Sequence, residues 1–226
     1  MKTIGILITG HLPAELVDDY GDYGNLFADL LGVDRFRYQR YFVVDGQLPS
    51  DPQAADGWLI TGSRHGVYED HDWIAPLEAF IRRARDADVP TVGICFGHQI
   101  MAQALGGVVR KFDGGWAAGV TDYDRSDLDQ RHRLLAWHQD QVIEPPSDGT
   151  VVSGNDFCAN AAIRYGDWGL SFQAHPEFTP AFFARLVALR GDLLPGSIRA
   201  RATVIEGELN TADVAVEIAD FLGRGA

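Results

Sequence analysis

The sequence predicts an α/β protein with a doubly wound, mostly parallel central sheet and a small antiparallel sheet, in a single domain over residues 1–226. Two observations carry this prediction. In the first half, short apolar runs alternate with helix-like segments, which is typical of a parallel sheet covered by helices on both faces. Residues 108–163 instead hold short, turn-rich pieces, which indicate antiparallel strands.

The individual elements follow from composition and periodicity. The predicted strands are rich in apolar, β-branched or aromatic residues: Thr3–Ile8, Phe36–Val44, Trp58–Thr61, Val89–Ile94 and Gly169–Ala174. The predicted helices combine good helix formers with an apolar face: Asn25–Leu31, Trp73–Arg85, His98–Leu105, Pro180–Arg190 and Thr211–Leu222. The charged segment Tyr123–His132 is predicted to be a solvated loop. No repeat, low-complexity tract or linker divides the chain, which favours one domain.

The charge balance argues against two classes of partner. Acidic residues outnumber basic ones by 32 to 19, and the net charge is −13. Such a surface repels phosphate backbones and anionic lipids, so we expect neither a nucleic-acid nor a membrane partner. The chain has two cysteines in different contexts, which is no disulfide framework and suits a reducing cytoplasm. We therefore expect a cytoplasmic protein.

The heptapeptide GICFGHQ, Gly93 to Gln99, places a cysteine between two glycines where a predicted strand meets a predicted helix. This is the spacing of the G-x-S-x-G nucleophile elbow, with sulfur in place of oxygen. Such a turn exposes the nucleophile, and glycine tolerates the close approach of neighbouring chain. The positive end of the following helix favours thiolate over thiol. Cys95 is therefore a candidate nucleophile; the alternative is a buried core thiol, which free cysteines commonly are.

A nucleophilic cysteine needs a base and a group that orients it. Of the seven histidines, His175 stands out because it follows an apolar strand in LSFQAHPEF, residues 170–178. Glu177 is two residues further on, and in an extended segment such side chains share one side with Cα atoms ~6.5–7 Å apart. Pro176 is expected to hold the segment extended. The carboxylate would then orient the imidazole, although a charged pair at a strand end is the alternative.

The second cysteine has a different setting. Cys158 lies in no glycine elbow and near no His-x-Glu pattern, so we interpret it as a core residue or as one that packs behind the candidate site. No histidine or cysteine spacing around it is typical of a metal site, and the sequence predicts neither a metal nor a cofactor.

Together, GICFGHQ and the QAHPE that follows eighty residues after Cys95 resemble the class I glutamine amidotransferase family. Glutaminase domains of that family carry a G-x-C-x-G-x-Q elbow and an H-P-E near their end. The resemblance extends over essentially the whole chain. It implies a flavodoxin-like fold, a Cys95–His175–Glu177 catalytic triad, and cleavage of a γ-glutamyl amide through a γ-glutamyl thioester on Cys95.

The resemblance also implies an oxyanion hole and a substrate contact. One oxyanion donor would be the backbone N–H of Phe96, and the other would come from Gly62 or Ser63 in the turn LITGSR. Gln99 occupies the family's position for contact with the substrate. Its alternative is a helix residue that faces solvent.

The remaining substrate contacts predicted by resemblance lie in two segments. WHQDQV, residues 137–142, resembles the family segment that touches the α-amino and α-carboxyl groups of the substrate, and it points to Gln139 and Asp140. ITGSRHGVYED, residues 60–70, is similar to the stand-alone, GMP-synthase-like branch that includes plant γ-glutamyl peptidases. There Arg64 would bind a carboxylate of a longer substrate such as glutathione; a surface arginine is the alternative.

Four interpretations of the function stay open at the level of sequence. The first is hydrolysis of the γ-amide of glutamine or of another γ-glutamyl compound, and the second is a γ-glutamyl peptidase acting on glutathione-like conjugates. The third is a glutaminase subunit that feeds ammonia to a separate synthetase partner. The partner would be separate because a synthetase needs a phosphate-binding loop, and no G-x-x-x-x-G-K-[ST] loop is present in this sequence. The fourth is a catalytically silent regulatory module. An intact triad favours the enzymes.

Overall fold

A computed structural model describes residues 1–224 of the chain; Gly225 and Ala226, the last two residues of the predicted domain, lie outside the described residues. Its main element is a nine-stranded sheet. In spatial order the strands are β2 (Arg37–Phe42), β1 (Thr3–Ile8), β3 (Gly57–Ile60), β4 (Thr91–Ile94), β11 (Gly169–Phe172), β10 (Ala162–Tyr165), β9 (Thr150–Gly154), β6 (Ala117–Arg125) and β7 (Gln130–His138).

The α/β prediction is confirmed, and the sheet is mixed. Strands β2, β1, β3, β4 and β11 run parallel. The turn-rich middle of the chain does form antiparallel strands, but four of them extend the main sheet beyond β11. Only β5 (Val108–Lys111) and β8 (Asp140–Glu144) make a separate, small antiparallel sheet within the described part of the chain.

The helices are α1 (Ala14–Tyr20), α2 (Tyr23–Leu31), α3 (Ile74–Asp86), α4 (Phe96–Ala104), α5 (Pro180–Arg190), α6 (Gly196–Ala202) and α7 (Thr211–Leu222). Helices α2 and α7 cover one face of the parallel half and α3 and α4 cover the other, whereas α1, α5 and α6 pack in a cluster with β6 and β7. Short 3₁₀ turns lie at Val43–Asp45, Pro52–Ala54 and Gly191–Leu193. Helices α1 and α6, which the sequence patterns did not indicate, are seven residues long each.

Strand β1 shows how the sequence builds the two-sided core. Successive side chains of a strand point to opposite faces of the sheet. Ile4, Ile6 and Ile8 are buried in the cluster that includes α2 and α7, whereas Leu7 is buried in the cluster that includes α3 and α4. A continuous apolar run therefore suits a central strand, because both of its faces are covered.

The prediction of a solvated loop at Tyr123–His132 is wrong. The segment belongs to the long β6–β7 hairpin, in which Tyr123 and His132 face each other and both are buried. Charge does not keep it solvated, because Arg125 is buried and its guanidinium donates hydrogen bonds to the carboxylates of Asp127 and Glu217. Only the connecting residues 126–129 form an exposed turn.

No helix within residues 1–224 is long and apolar enough to cross a membrane.

Candidate active site

The nucleophile elbow lies where three parallel strands end side by side. Strands β3, β4 and β11 are neighbours, and their register, continued past the strand ends, places Gly62 on one side of Cys95 and Gln173 on the other. The Cys95 N–H donates to the carbonyl of Phe172 at 2.8 Å, which extends the β4–β11 ladder by one bond. This edge is where open α/β sheets bind ligands.

The backbone at Cys95 is strained in the manner expected of an elbow. Its φ is 52° and its ψ is −101°, a conformation that non-glycine residues rarely adopt. The flanking glycines are explained by crowding: a Cβ on Gly93 would collide with the backbone of Gly97, and one on Gly97 would collide with the carbonyl of Ile60. Helix α4 begins directly at Phe96, two residues earlier than predicted.

His175 and Glu177 form a buried pair within this site. Nδ1 of His175 lies 2.7 Å from a carboxylate oxygen of Glu177, and both residues are 3% exposed. The expected extended segment is wrong, because a turn at Pro176 and Glu177 brings the two side chains together. Proline favours this outcome, since its fixed φ suits the first central position of a turn. The His175 ring stacks on Phe178 with centroids 4.1 Å apart.

The His175 imidazole also faces the elbow. Both side chains lie next to Gly62. A Cβ atom placed on Gly62 would be 3.1 Å from Cε1 of His175 and 3.7 Å from Cβ of Cys95, so His175 and Cys95 border the same space beside this glycine. Burial alone would lower the pKa of His175, but the negative charges of Glu177 and of a Cys95 thiolate outweigh it and raise that pKa above the ordinary value. The buried Nε2 has no hydrogen-bond partner among residues 1–224.

The turn after β3 is hydrogen-bonded to Thr9, the residue that follows β1. The Thr9 hydroxyl lies 3.0 Å from the carbonyl of Thr61 and 3.1 Å from that of Gly62, and the Thr9 N–H donates to the Thr61 hydroxyl. The N–H of Gly97 donates to the Thr61 carbonyl, which ties α4 to the same turn. The N–H of Phe96, at the first position of the helix, has no acceptor within α4 and lies beside the nucleophile.

Comparison with known proteins identifies the family of this site. Residues 43–186 match the family model described as "Glutamine amidotransferase class-I". The chain belongs to the class-I glutamine amidotransferase family. The match includes the elbow, the turn after β3 and the His175–Glu177 pair.

Similar members of the class-I amidotransferase family carry different names. Gamma-glutamyl peptidase 5 of Arabidopsis thaliana is 31% identical over 182 residues, which cover 74% of this chain and 72% of the plant protein. A subunit of the glutamine-hydrolyzing GMP synthase of Methanopyrus kandleri is 29% identical, covering 79% of this chain and 98% of that protein. A crystal structure of a glutamine amidotransferase from Thermotoga maritima shares the fold, with a TM-score of 0.76 and 19% identity over 98% of this chain and 96% of that one.

Two of the residues that the amidotransferase resemblance assigns to substrate contact, Gln99 and Asp140, are joined in a partly buried hydrogen-bond network. Gln99 is 3% exposed, so it does not face solvent, and its amide donates to the carbonyl of Asp140 at 2.9 Å. The Asp140 carboxylate accepts a hydrogen bond from Tyr68, and burial raises the pKa of Asp140. Gln139 is half-buried, and its carbonyl accepts from the N–H of Phe112.

Arg64 differs from these residues. Its side chain is exposed, and it makes no ion pair or hydrogen bond within residues 1–224. Ser63, next to it, accepts a hydrogen bond from the N–H of His65 at 3.1 Å through its hydroxyl. The role of Arg64 in substrate binding stays a prediction.

The sequence patterns missed Gln173, which contacts Cys95. Its amide nitrogen lies 3.7 Å from Cys95 Sγ, and its amide oxygen accepts from Gln99 at 3.1 Å. Gln173 is wholly buried. One signal in the sequence could have identified Gln173. It is an amide at the end of an apolar strand, two residues before His175, and a buried amide at such a position needs hydrogen-bond partners nearby.

Two further residues near the site were also missed. Tyr23, at the start of α2, lies within electrostatic range of Glu177 and Cys95; burial foremost, and then these two charges, raise its pKa. His138 is buried, and its Nδ1 lies 3.2 Å from the Asp140 carbonyl. Burial and the neighbouring His175 lower the pKa of His138 to about 3, so it is a neutral group at physiological pH.

Proposed function

We propose that this amidotransferase-family protein is a cysteine-dependent hydrolase that cleaves the γ-amide of glutamine or of another γ-glutamyl compound. The observation that carries the proposal is the buried His175–Glu177 pair beside a strained cysteine. Glu177 fixes the imidazole through Nδ1, which leaves Nε2 turned to the reacting atoms. The raised pKa of His175 favours an imidazolium that stabilises the Cys95 thiolate.

The proposed reaction is an acyl transfer in two steps. The Cys95 thiolate attacks the γ-carbonyl carbon, and the resulting oxyanion accepts hydrogen bonds from the Phe96 N–H and from the N–H of Gly62 or Ser63. The C–N bond then breaks, and His175 gives its Nε2 proton to the leaving amine. Water, deprotonated by His175, attacks the thioester and releases glutamate and the free thiolate. Gln173 donates to the sulfur whenever it is ionised.

The leaving amine separates the finer alternatives. The 31% identity to a plant gamma-glutamyl peptidase supports a γ-glutamyl peptide as the substrate, whereas the similarity to one subunit of a GMP synthase supports glutamine and a synthetase partner. The exposed guanidinium of Arg64, close to the oxyanion turn, is suited to a carboxylate on a longer leaving group. We therefore place the peptide substrate first and the subunit role second.

Glutamate release tests the proposal directly. The purified protein is incubated with glutamine, glutathione or a γ-glutamyl dipeptide, and glutamate is measured enzymatically. We expect release from at least one substrate by the natural protein and by Cys158→Ala, which removes the thiol outside the site. Cys95→Ala should release none above the uncatalysed rate. Equal release by the natural protein and Cys95→Ala, or none by either, would contradict the proposal; the second result favours a silent module.

A further inference from the structure

Three side chains that commonly bind metals meet on the loop between β3 and α3, residues 61–73, and the proposed reaction uses none of them. Nδ1 of His65 and Nε2 of His71 approach the same carboxylate oxygen of Glu69, at 3.2 and 2.8 Å. One potential ligand atom from each residue lies within 4.8 Å of the other two. The segment that carries them consists of turns and bends and contains no helix, so the fold of the loop brings the three side chains together.

Two of the three distances between these atoms approach those in a tetrahedral metal site. Zn²⁺ binds imidazole nitrogens and carboxylate oxygens at about 2.0–2.2 Å, so two ligands of a tetrahedral ion stand about 3.3 Å apart. The two contacts made by the Glu69 oxygen, 3.2 and 2.8 Å, are close to this value, and the third pair of atoms lies within 4.8 Å. Two histidines and one glutamate are also a set of protein ligands that leaves a fourth position of zinc open to water.

The neighbours of the cluster hold the ligands in place. Although burial would raise the pKa of Glu69, hydrogen bonds from His71, the Gly66 backbone and His65 lower it, so the carboxylate is ionised. The His71 ring stacks on the indole of Trp73 at an interplanar angle of 10°. In known metal sites, neighbouring groups likewise orient the side chains that bind the ion.

An ion can reach the cluster from solvent. The side chains of His65, Glu69 and His71 are 18, 43 and 32% exposed. A cavity of about 540 Å³, lined in part by His65, His71 and Trp73, opens beside them and has room for the water ligands of an ion. The net charge of −13 favours the approach of a cation.

We propose that His65, Glu69 and His71 bind one divalent cation of the Zn²⁺ class at this loop. The bound ion cross-links the loop immediately after the turn that carries Gly62 and Ser63. Trp73 stacks on His71 and also packs against Phe96, with ring centroids 5.4 Å apart, so the site touches the elbow through one aromatic ring. The ion is therefore placed to stiffen the proposed oxyanion hole without contacting the substrate.

Calorimetric titration with zinc chloride tests the site. The untagged chain carries Cys95→Ser, because a catalytic thiolate binds Zn²⁺ itself; the result is then independent of the proposed reaction. We expect one equivalent of Zn²⁺ to bind at neutral pH. Glu69→Gln and His71→Ala should each weaken binding about tenfold or more, the size seen when the surroundings of a metal ligand are removed. Binding should also weaken as the pH is lowered, because protons compete with the metal ion for its ligands.

His11→Ala is the matched control. His11 lies 3.0 Å from the Asp45 carboxylate, the same kind of contact, but has no third ligand beside it among the described residues, so its removal should leave the affinity unchanged. A second measurement uses Co²⁺ in place of Zn²⁺ and needs no variant of the loop. Co²⁺ added to the Cys95→Ser protein should show intense d–d absorption bands in the visible range, which indicate a tetrahedral site. Absence of a bound equivalent and of these bands, or equal binding by all variants, would overturn the proposal.

Discussion

Glu177 acts on the site through one hydrogen bond and one charge. Its carboxylate accepts from Nδ1 of His175 and opposes the effect of burial, so that the pKa of His175 lies above the ordinary value of about 6.5. A raised pKa means that the imidazolium persists to higher pH. This form donates the proton to the leaving amine in the proposed reaction. The alkaline limb of the pH–rate profile, where the rate falls as the imidazolium loses its proton, should therefore lie above neutrality.

Glu177→Gln should reduce this shift. The amide removes one of the two negative charges that raise the pKa of His175, so the alkaline limb of kcat/KM should move to lower pH. The rate at the optimum should fall about a hundredfold or more, the range of a misplaced general acid–base. Initial rates of glutamate release, measured from about pH 5 to about pH 10 so that both the acidic and the alkaline limb are covered, give the position of the alkaline limb and the rate at the optimum.

Glu144→Gln is the control for this substitution. Glu144 is an exposed glutamate at the end of β8, and its removal should leave both the limb and the rate unchanged. An alkaline limb that stays in place in Glu177→Gln would mean that His175 does not supply the titrating proton.

At the level of single residues, the sequence identified the groups that belong to a recognisable motif. Cys95, His175 and Glu177 are brought together by elements that the patterns located. Gln173 and Tyr23 escaped because their proximity to Cys95 depends on which strands are neighbours and on where α2 packs, and neither follows from local composition. The sequence spacing of 78 residues between Gln173 and Cys95 carries no such information.

The β6–β7 hairpin depends on one buried cation. The Arg125 side chain is 1% exposed, and its two carboxylate partners come from the hairpin turn, Asp127, and from helix α7, Glu217. The charged composition suggested a solvated loop because sequence patterns weigh each charge separately. Pairing across elements offsets the cost of burial here, and a pairing partner 92 residues away is invisible to a local pattern.

Arg125→Ala should destabilise the protein by about 3 kcal/mol or more, because it leaves the Asp127 carboxylate without an ion-pair partner and Glu217 with only the more distant Arg164, 3.6 Å away. Arg131→Ala is the matched control on the same hairpin. Arg131 pairs with Asp124 at 2.8 Å, but both side chains are more than half exposed, so the loss should be much smaller than that caused by Arg125→Ala. Urea unfolding followed by tryptophan fluorescence gives both values. Equal losses would show that the buried network adds nothing beyond an exposed pair.

At the scale of the whole molecule, the fold class was predictable and the extent of the sheet was not. Alternating apolar runs and amphipathic helices indicate parallel strands with covered faces, which is what the clusters around β1 show. The same patterns do not say whether antiparallel strands join that sheet or form another. The junction is made by the hydrogen bonds between β11 and β10, two short strands with no distinguishing composition.

The second thiol provides a measure of cooperativity across this mixed sheet. Cys158 is 2% exposed and belongs to the core cluster shared by β1, α2 and α7. Burial raises its pKa to about 12, so the native thiol is both shielded and protonated. A thiol reagent can therefore reach Cys158 only when the protein unfolds enough to expose the core cluster that surrounds it.

In Cys95→Ser protein, the labelling rate of Cys158 should give an opening free energy equal to that of global unfolding, about 5–15 kcal/mol for a native domain. The rate should rise with urea along the slope of the equilibrium transition. Adding Arg125→Ala should accelerate labelling by the factor that its own unfolding loss predicts, since Arg125 lies over the Phe172 ring in the same cluster. Fast labelling at a rate that does not depend on urea concentration would instead show that Cys158 is exposed by local unfolding. The antiparallel half of the sheet would then unfold independently of the parallel half.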